Sequence, residues 1–274
     1  MDEGRLLRRG LIAASFLFVF VAIILPLAAV LSRAFGHGWG PFWAAATDLF
    51  TVRALKLTLL TTVSAVAANT LFGLAAAWAL TRFNFRGQGL LITLIDLPFA
   101  VSPVIAGLIF ILTFGRLGWL HPLLTAWDVK IVFATPGLVL ATIFVTLPFV
   151  ARELIPVLAA RGADEEQAAA LMGAGFFRVF FEVTLPHIRW ALLYSVILCA
   201  ARAMGEFGAV SVVSGHLRGK TITLPLHIEI LYNEHKITEP FAVAAILVFS
   251  SLLILLARNI VETVAKKERY LDVR

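Results

Sequence analysis

Asp96, Arg202 and Glu206 stand in stretches of this chain that are otherwise almost free of charge. Arg202 and Glu206 are four residues apart, the spacing that puts two side chains on one helix face. A charge held in the middle of a membrane costs about 2.5–3.5 kcal/mol on insertion scales, so such groups pair, face a wet cavity or bond to neighbouring helices. Two roles stay open for this pair. It is a structural, self-neutralising couple, or it lines a translocation path near Gly205, Gly208 and Ser211, where small residues let a neighbouring helix or a passing ion come close. Asp96 precedes Leu97–Pro98. It needs a partner or a route to the boundary. Pro98 and Pro103 frame Phe99–Ser102, where freed carbonyls either line a cavity or mark a packed kink.

Other residues that do chemistry elsewhere lack the company they need. The six histidines, His37, His121, His187, His216, His227 and His235, share no metal-ligand spacing, and no H-E-x-x-H is present. There is no nucleophile elbow. These absences weigh against a membrane enzyme. Ser214–Thr221 reads SGHLRGKT, one glycine short of a phosphate-binding G-x-x-x-x-G-K-[ST] loop. That loop also requires a preceding strand, so ATP binding is not expected in this chain. Cys199 is the single cysteine and reads as a small apolar core residue.

The elements that must position these residues follow from composition. Of 274 residues, 60% are hydrophobic and 15% charged, against roughly 45–50% and 25% in a soluble domain. The pattern is that of an all-α integral membrane protein with about six transmembrane helices. The net charge of +6 reflects basic residues between apolar runs, so it describes topology rather than nucleic-acid binding. The expected spans are Gly10–Leu31, Leu57–Leu80, Leu90–Phe114 with its two prolines, Gly137–Leu158, Ile188–Val213 and Phe241–Leu256. The first exceeds the apolar core of about 7–15 residues of a cleaved signal peptide, so an uncleaved helix is preferred. The fourth falls short of a full crossing if it stops at Val150, before Arg152. Fourteen of the 23 Lys and Arg residues fall on the side of the N-terminus and eight on the other. The positive-inside rule then puts both termini in the cytoplasm. Residues 1–54 form a tail, first helix and outer connector, 55–258 the core, and 259–274 a basic cytoplasmic tail.

The same count puts one polar island in the cytoplasm: Asp164–Pro186, DEEQAAALMGAGFFRVFFEVTLP. Asp164, Glu165 and Glu166 suit the positive end of a helix. Good helix formers follow, and Gly173 and Gly175 end the run. A second helical run carries Phe176, Phe177, Phe180 and Phe181 along one side, and Leu185–Pro186 is expected to close it. By itself this is an amphipathic connector.

Its spacing resembles the EAA loop of ABC-importer permeases: Ala168–Ala169, Gly173 four residues later, then Val183-x-Leu185-Pro186. Gln167 occupies the motif's glutamate position, and Glu166 stands one place earlier. The resemblance implies a coupling helix seated on an ATP-hydrolysing subunit, through Glu166, Gln167, Ala168, Ala169, Gly173, Leu185 and Pro186. Downstream, Ala201–Gly219, ARAMGEFGAVSVVSGHLRG, and Thr223–Asn233, TLPLHIEILYN, resemble the W-type permease subunits of sulfate/thiosulfate ABC importers. The A-R-A-x-G-E-F-G part is shared with molybdate permeases, so a molybdate or tungstate importer is the alternative. The resemblance spans roughly Leu55 to Arg258. It implies a type I importer fold in the bacterial inner membrane and a related second permease as partner. It also implies two ATPase subunits carrying ATP-Mg, an extracytoplasmic sulfate-binding protein, and no cofactor in this chain.

Overall fold

The computed structural model describes residues 3–272, which are almost wholly helical and contain no strand. α1 (Glu3–Val19), a π-helical turn (Phe20–Ile24) and α2 (Leu25–Phe35) form one apolar rod. After α3 (Trp39–Thr47) come α4 (Leu49–Arg82), α5 (Gln88–Ala100), α6 (Pro103–Phe114), α7 (His121–Ala126) and α8 (Thr135–Arg161). α9 (Asp164–Leu171) and α10 (Phe176–Val179) lead through a second π-helical turn (Phe180–Thr184) into α11 (Leu185–Met204). The chain ends with α12 (Gly208–Ser214), α13 (Leu224–Asn233) and α14 (Glu239–Asp272).

Five stretches are long and apolar enough to cross a membrane: Leu7–Phe35, Leu49–Arg82, Thr135–Arg161, Phe176–Met204 and Glu239–Val264. The expected third span is instead two helices, α5 and α6, bent by 110°. Val101 and Ser102 are extended, with ψ of 128° and 135°, the conformation that a following proline imposes, here Pro103. Pro98 lies inside α5 without breaking it. The expected fourth span does not stop before Arg152 but runs on to Arg161. The expected fifth span starts earlier, at Phe176, and ends at Met204. Gly205 and the two residues after it separate it from α12. The basic tail from 259 is not a separate segment, because α14 carries it in helix through Asp272; Val273 and Arg274 lie outside the described residues.

Leu185–Pro186 does not close a helix as expected. Pro186 sits in the first turn of α11, directly after the π-helical turn, and the Leu185 N–H donates to the Phe180 carbonyl, five residues back. The wider turn moves the carbonyl that a proline ring would strike in a regular helix. Leu25–Pro26 repeats the device: the Leu25 N–H donates to the Phe20 carbonyl.

α8 is the centre of the bundle, and α4 packs along it. Ala77 of α4, Val150, Leu154 and Leu158 of α8, and Ile188 and Cys199 of α11 form the main buried cluster. Gly73 permits the closest approach: a Cβ there would lie 2.7 Å from the Val150 Cβ. The polar face of α4 is buried in this seam. The Asn69 amide donates to Thr146 Oγ1 at 2.8 Å and to the Ile143 carbonyl at 3.1 Å.

Candidate functional site

The polar island folds as a short surface helix tied down at one point. All three acids, Asp164, Glu165 and Glu166, lie in the first turn of α9, where the helix dipole favours negative charge. Gly173 ends the helix with φ of +89°, a conformation that costs glycine little. Glu166 faces the bundle. Arg82, the last residue of α4, donates from Nε to Glu166 Oε2 at 2.7 Å and from Nη2 to Oε1 at 3.0 Å. Arg82 Nη1 donates to the Leu158 carbonyl near the end of α8 at 3.1 Å, and Thr184 Oγ1 donates to Glu166 Oε1 at 2.9 Å. One carboxylate thus joins α9 to α4 directly, to α8 through Arg82, and to the start of the fourth straight span. Burial opposes its ionisation, but the donors from Arg82 and Thr184 outweigh it and hold Glu166 below the usual carboxylate range. His187 Nδ1 lies 3.1 Å from Glu165 Oε2 at the edge of the same joint.

The outward side of this joint is apolar. Leu171, Met172 and Phe177 are exposed at 89%, 85% and 73%. The four phenylalanines do not share one side. Phe176, itself 56% exposed, and Phe180 pack edge-on against Trp78 of α4, with centroids 4.8 and 5.8 Å away, while Phe177 and Phe181 are exposed. Gln167 and Ala168 face out, Ala169 is half-buried, Leu185 packs on the main core cluster and Pro186 is exposed.

Arg202 and Glu206 do meet, at 2.6 Å, but across the end of α11 rather than along one helix. The Glu206 side chain is 1% exposed. Its Oε1 accepts from the Ala209 N–H of α12 at 2.9 Å. Gly205 ends α11, Gly208 lies against Pro103, and the Ser211 hydroxyl donates to the Gly208 carbonyl at 2.9 Å. The two helix breaks, before Pro103 and before Gly208, therefore pack side by side. Asp96 finds its partner in Arg152: Nε to Oδ1 at 2.6 Å and Nη2 to Oδ2 at 2.5 Å.

The sequence reading missed both long-range pairs. Arg82 was not singled out, and Arg152 marked only a possible helix end. One signal was available: Asp96 and Arg152 stand at similar distances from the same polar boundary. On the opposite side, Ser214–Thr221 turns back on itself rather than cradling a phosphate. The Leu217 N–H donates to Thr221 Oγ1 at 3.1 Å and the His216 N–H to Ser214 Oγ at 3.0 Å. A helix, α12, precedes it. No three His, Cys, Asp or Glu residues converge as a metal site among the described residues.

Broken helices packed end by end, five helices long and apolar enough to cross a membrane and a surface helix joined to three of them describe a polytopic membrane protein. The family described as "Binding-protein-dependent transport system inner membrane component" matches residues 69–270, and the chain belongs to that family. It is a membrane component of a transport system, not an enzyme. The chain is 50% identical over 261 residues to the sulfate transport system permease protein CysW of Synechococcus elongatus, covering 95% of this chain and 91% of that one. It is 44% identical over 253 residues to the CysW protein of Escherichia coli K12, covering 92% and 85%. The sulfate transport system permease protein CysT of E. coli K12 is 35% identical over 252 residues, covering 92% and 91%. A bacterial ABC transporter involved in importing the acidic polysaccharide alginate superposes with a TM-score of 0.78 at 14% identity, covering 97% and 96%; it shares the fold.

Proposed function

We propose that this chain is one of two related permease subunits of an ATP-driven importer of sulfate and thiosulfate in the bacterial inner membrane. Its similarity to CysW proteins over nearly the whole chain carries that reading, and its lesser similarity to CysT proteins supports a related but distinct second permease. α9 and the turn after it are the coupling element, placed in the cytoplasm with both termini. Leu171, Met172 and Phe177 form an apolar surface of the kind that marks a protein interface, here for an ATPase subunit carrying ATP-Mg. Glu166 does not serve as an ATPase contact; it anchors the helix to Arg82, and Gln167 and Ala168 face the partner. A sulfate-binding protein docks on the opposite, extracytoplasmic face. ATP-driven closure of two ATPase subunits moves α9. The joint through Glu166 passes that motion to α4, α8 and α11 together. Arg202, Gly205, Glu206, Gly208 and Ser211 border the path by holding the break that orients α12 against α6.

The test is reconstitution of the complex with both permeases, the ATPase and the binding protein. Radiolabelled sulfate accumulates in the vesicles only with ATP, thiosulfate competes, and molybdate in equal amount does not. Uptake of molybdate in preference to sulfate overturns the assignment. A cysteine at Ala168 or Leu171 crosslinks to the ATPase, and failure to do so in an active complex removes the coupling role.

A further inference from the structure

The cation best placed to meet a passing anion is not Arg202. Arg202 is committed to Glu206, whose carboxylate is buried and holds the N-terminus of α12; withdrawing the guanidinium would strand a buried charge. Arg152 is differently situated. It lies on the exposed strip of α8 with Pro156, one turn on, while the rest of that helix is largely packed. Arg152 is about 14 Å along α8 from the helix end at Arg161, and Asp96 about 12 Å along α5 from its start at Gln88, at 1.5 Å per residue. Both helix ends lie at the polar level of Arg82 and Glu166. α8, at 27 residues, is about 40 Å long and overruns a hydrocarbon layer about 30 Å thick, so the Arg152–Asp96 pair sits several ångströms inside the edge of that layer. Yet the Arg152 side chain is 55% exposed and that of Asp96 26%. A half-exposed ion pair at that depth does not face lipid; it faces water or another protein surface. Beside it is a cavity of about 300 Å³ walled by Ile92, Ile95, Ile155 and Pro156, with the ion pair as its polar side.

The guanidinium is also only partly used. Asp96 takes Nε and Nη2, and among the described residues nothing accepts from Nη1. A guanidinium offers a planar fork of donors that matches tetrahedral oxyanions as well as carboxylates.

We propose that Arg152 is the cargo contact of this subunit, binding a tetrahedral oxyanion dianion on the path, with Asp96 as the resident counter-anion that it replaces and that later displaces it. This rests on the reading of the chain as a sulfate permease subunit. The exchange leaves Arg152 paired at every stage, so no bare cation is created in the apolar wall. Competition from Asp96 keeps the cargo weakly held, which a path requires if the ion is to leave. Asp96, unlike Glu206, is exposed enough to be rehydrated when it swings free.

Two measurements in the reconstituted complex test this. Arg152→Gln lowers radiolabelled sulfate uptake at least tenfold while ATP hydrolysis is still stimulated by the loaded binding protein; Asp96→Asn keeps the cation and retains uptake with a lower KM. Wild-type uptake by Arg152→Gln overturns the proposal. The double swap Asp96→Arg with Arg152→Asp keeps an ion pair. It assembles without transporting if Arg152 is a cargo contact, and its full transport would show a merely structural pair. Independently, a cysteine at Ile92 reacts with a membrane-impermeant anionic methanethiosulfonate in the assembled complex, and sulfate slows the reaction. No reaction in any state of an ATP-hydrolysing complex overturns the proposal, since the cavity would then be closed by lipid or protein. A wild-type complex that moves no sulfate defeats the functional reading instead, and the thiol reaction rate still reports whether water and anions reach the cavity.

Discussion

Glu166 accepts three hydrogen bonds, two of them from one guanidinium, and that is why a single acid can hold a surface helix. Hydrogen bonds to charged groups contribute about 1.5–3 kcal/mol each when formed against a desolvated surface. Glu166→Gln keeps the shape but removes the charge that Arg82 needs. We expect it to lower sulfate uptake roughly tenfold while the complex still assembles, and Arg82→Lys to do nearly the same because an ammonium cannot fork. A double-mutant cycle on uptake reads the coupling; additive effects would mean that the two side chains act separately. The pH dependence has a defined sign. The folded-state carboxyl titrates below its ordinary value, so its contribution is complete above the unfolded pKa of about 4.3. It is lost only as pH falls through the lower, folded value. Uptake attributable to this joint is therefore flat across neutral and mildly acidic pH. A wild-type loss near pH 6 that Glu166→Gln abolishes would contradict it. This contact was half legible: the acids at the start of α9 advertise a helix N-terminus, but nothing local says that Arg82, 84 residues upstream, is waiting there.

At the scale of elements, proline explains both what the sequence reading caught and what it missed. Pro103 holds the residues before it extended, and the span divides there into two helices; an interruption at the Pro98–Pro103 frame was expected, but within a single span, so the division was not. Pro186 was expected to end a helix and instead sits inside one, because the π-helical turn at Phe180–Thr184 makes room for its ring. The split among the phenylalanines does not come from that turn, since Phe176 and Phe177 precede it and Phe180 and Phe181 open it; Phe176 and Phe180, four apart, share the face that meets Trp78. Pro186→Ala restores an N–H and removes the clash. The turn can then tighten, rotating Phe176–Thr184 by about 100° against α11. Phe176 and Phe180 would leave Trp78. We expect a complex that assembles, loses the Leu171 crosslink to the ATPase, and transports several-fold more slowly; unchanged crosslinking would mean that the wide turn has another cause. The seam between α4 and α8 allows a cleaner stability test. Gly73→Val inserts atoms where even a Cβ falls 2.7 Å from Val150. Overpacking of this kind costs about 1–3 kcal/mol, seen as a lower Tm of the detergent-purified complex, whereas the same change at exposed Gly89, with open space around it, is silent.

Across the whole molecule, the orientation that the basic residues suggest is open to a direct test, because each face carries an exposed apolar probe position. On the side proposed to be cytoplasmic stand Arg82, Arg161 and the α9 joint, with Met172 85% exposed. On the other stands the loop between α6 and α8, where Leu117 and Trp119 are 97% and 91% exposed. The crossing number was legible because apolar length is a local property; the bend of 110° between α5 and α6 and the break before α12 were not, because they depend on which helices pack end to end. The native thiol, Cys199, is buried in the α4–α8–α11 cluster, so an added cysteine reports alone. In intact spheroplasts a membrane-impermeant maleimide should label Leu117→Cys and leave Met172→Cys unmodified; after permeabilisation both should react. Labelling of position 172 from outside would invert the bundle. The surface proposed for the ATPase would then face away from cellular ATP, and the anion path proposed through Arg152 would have to run in the opposite sense, which no rearrangement of single contacts could repair.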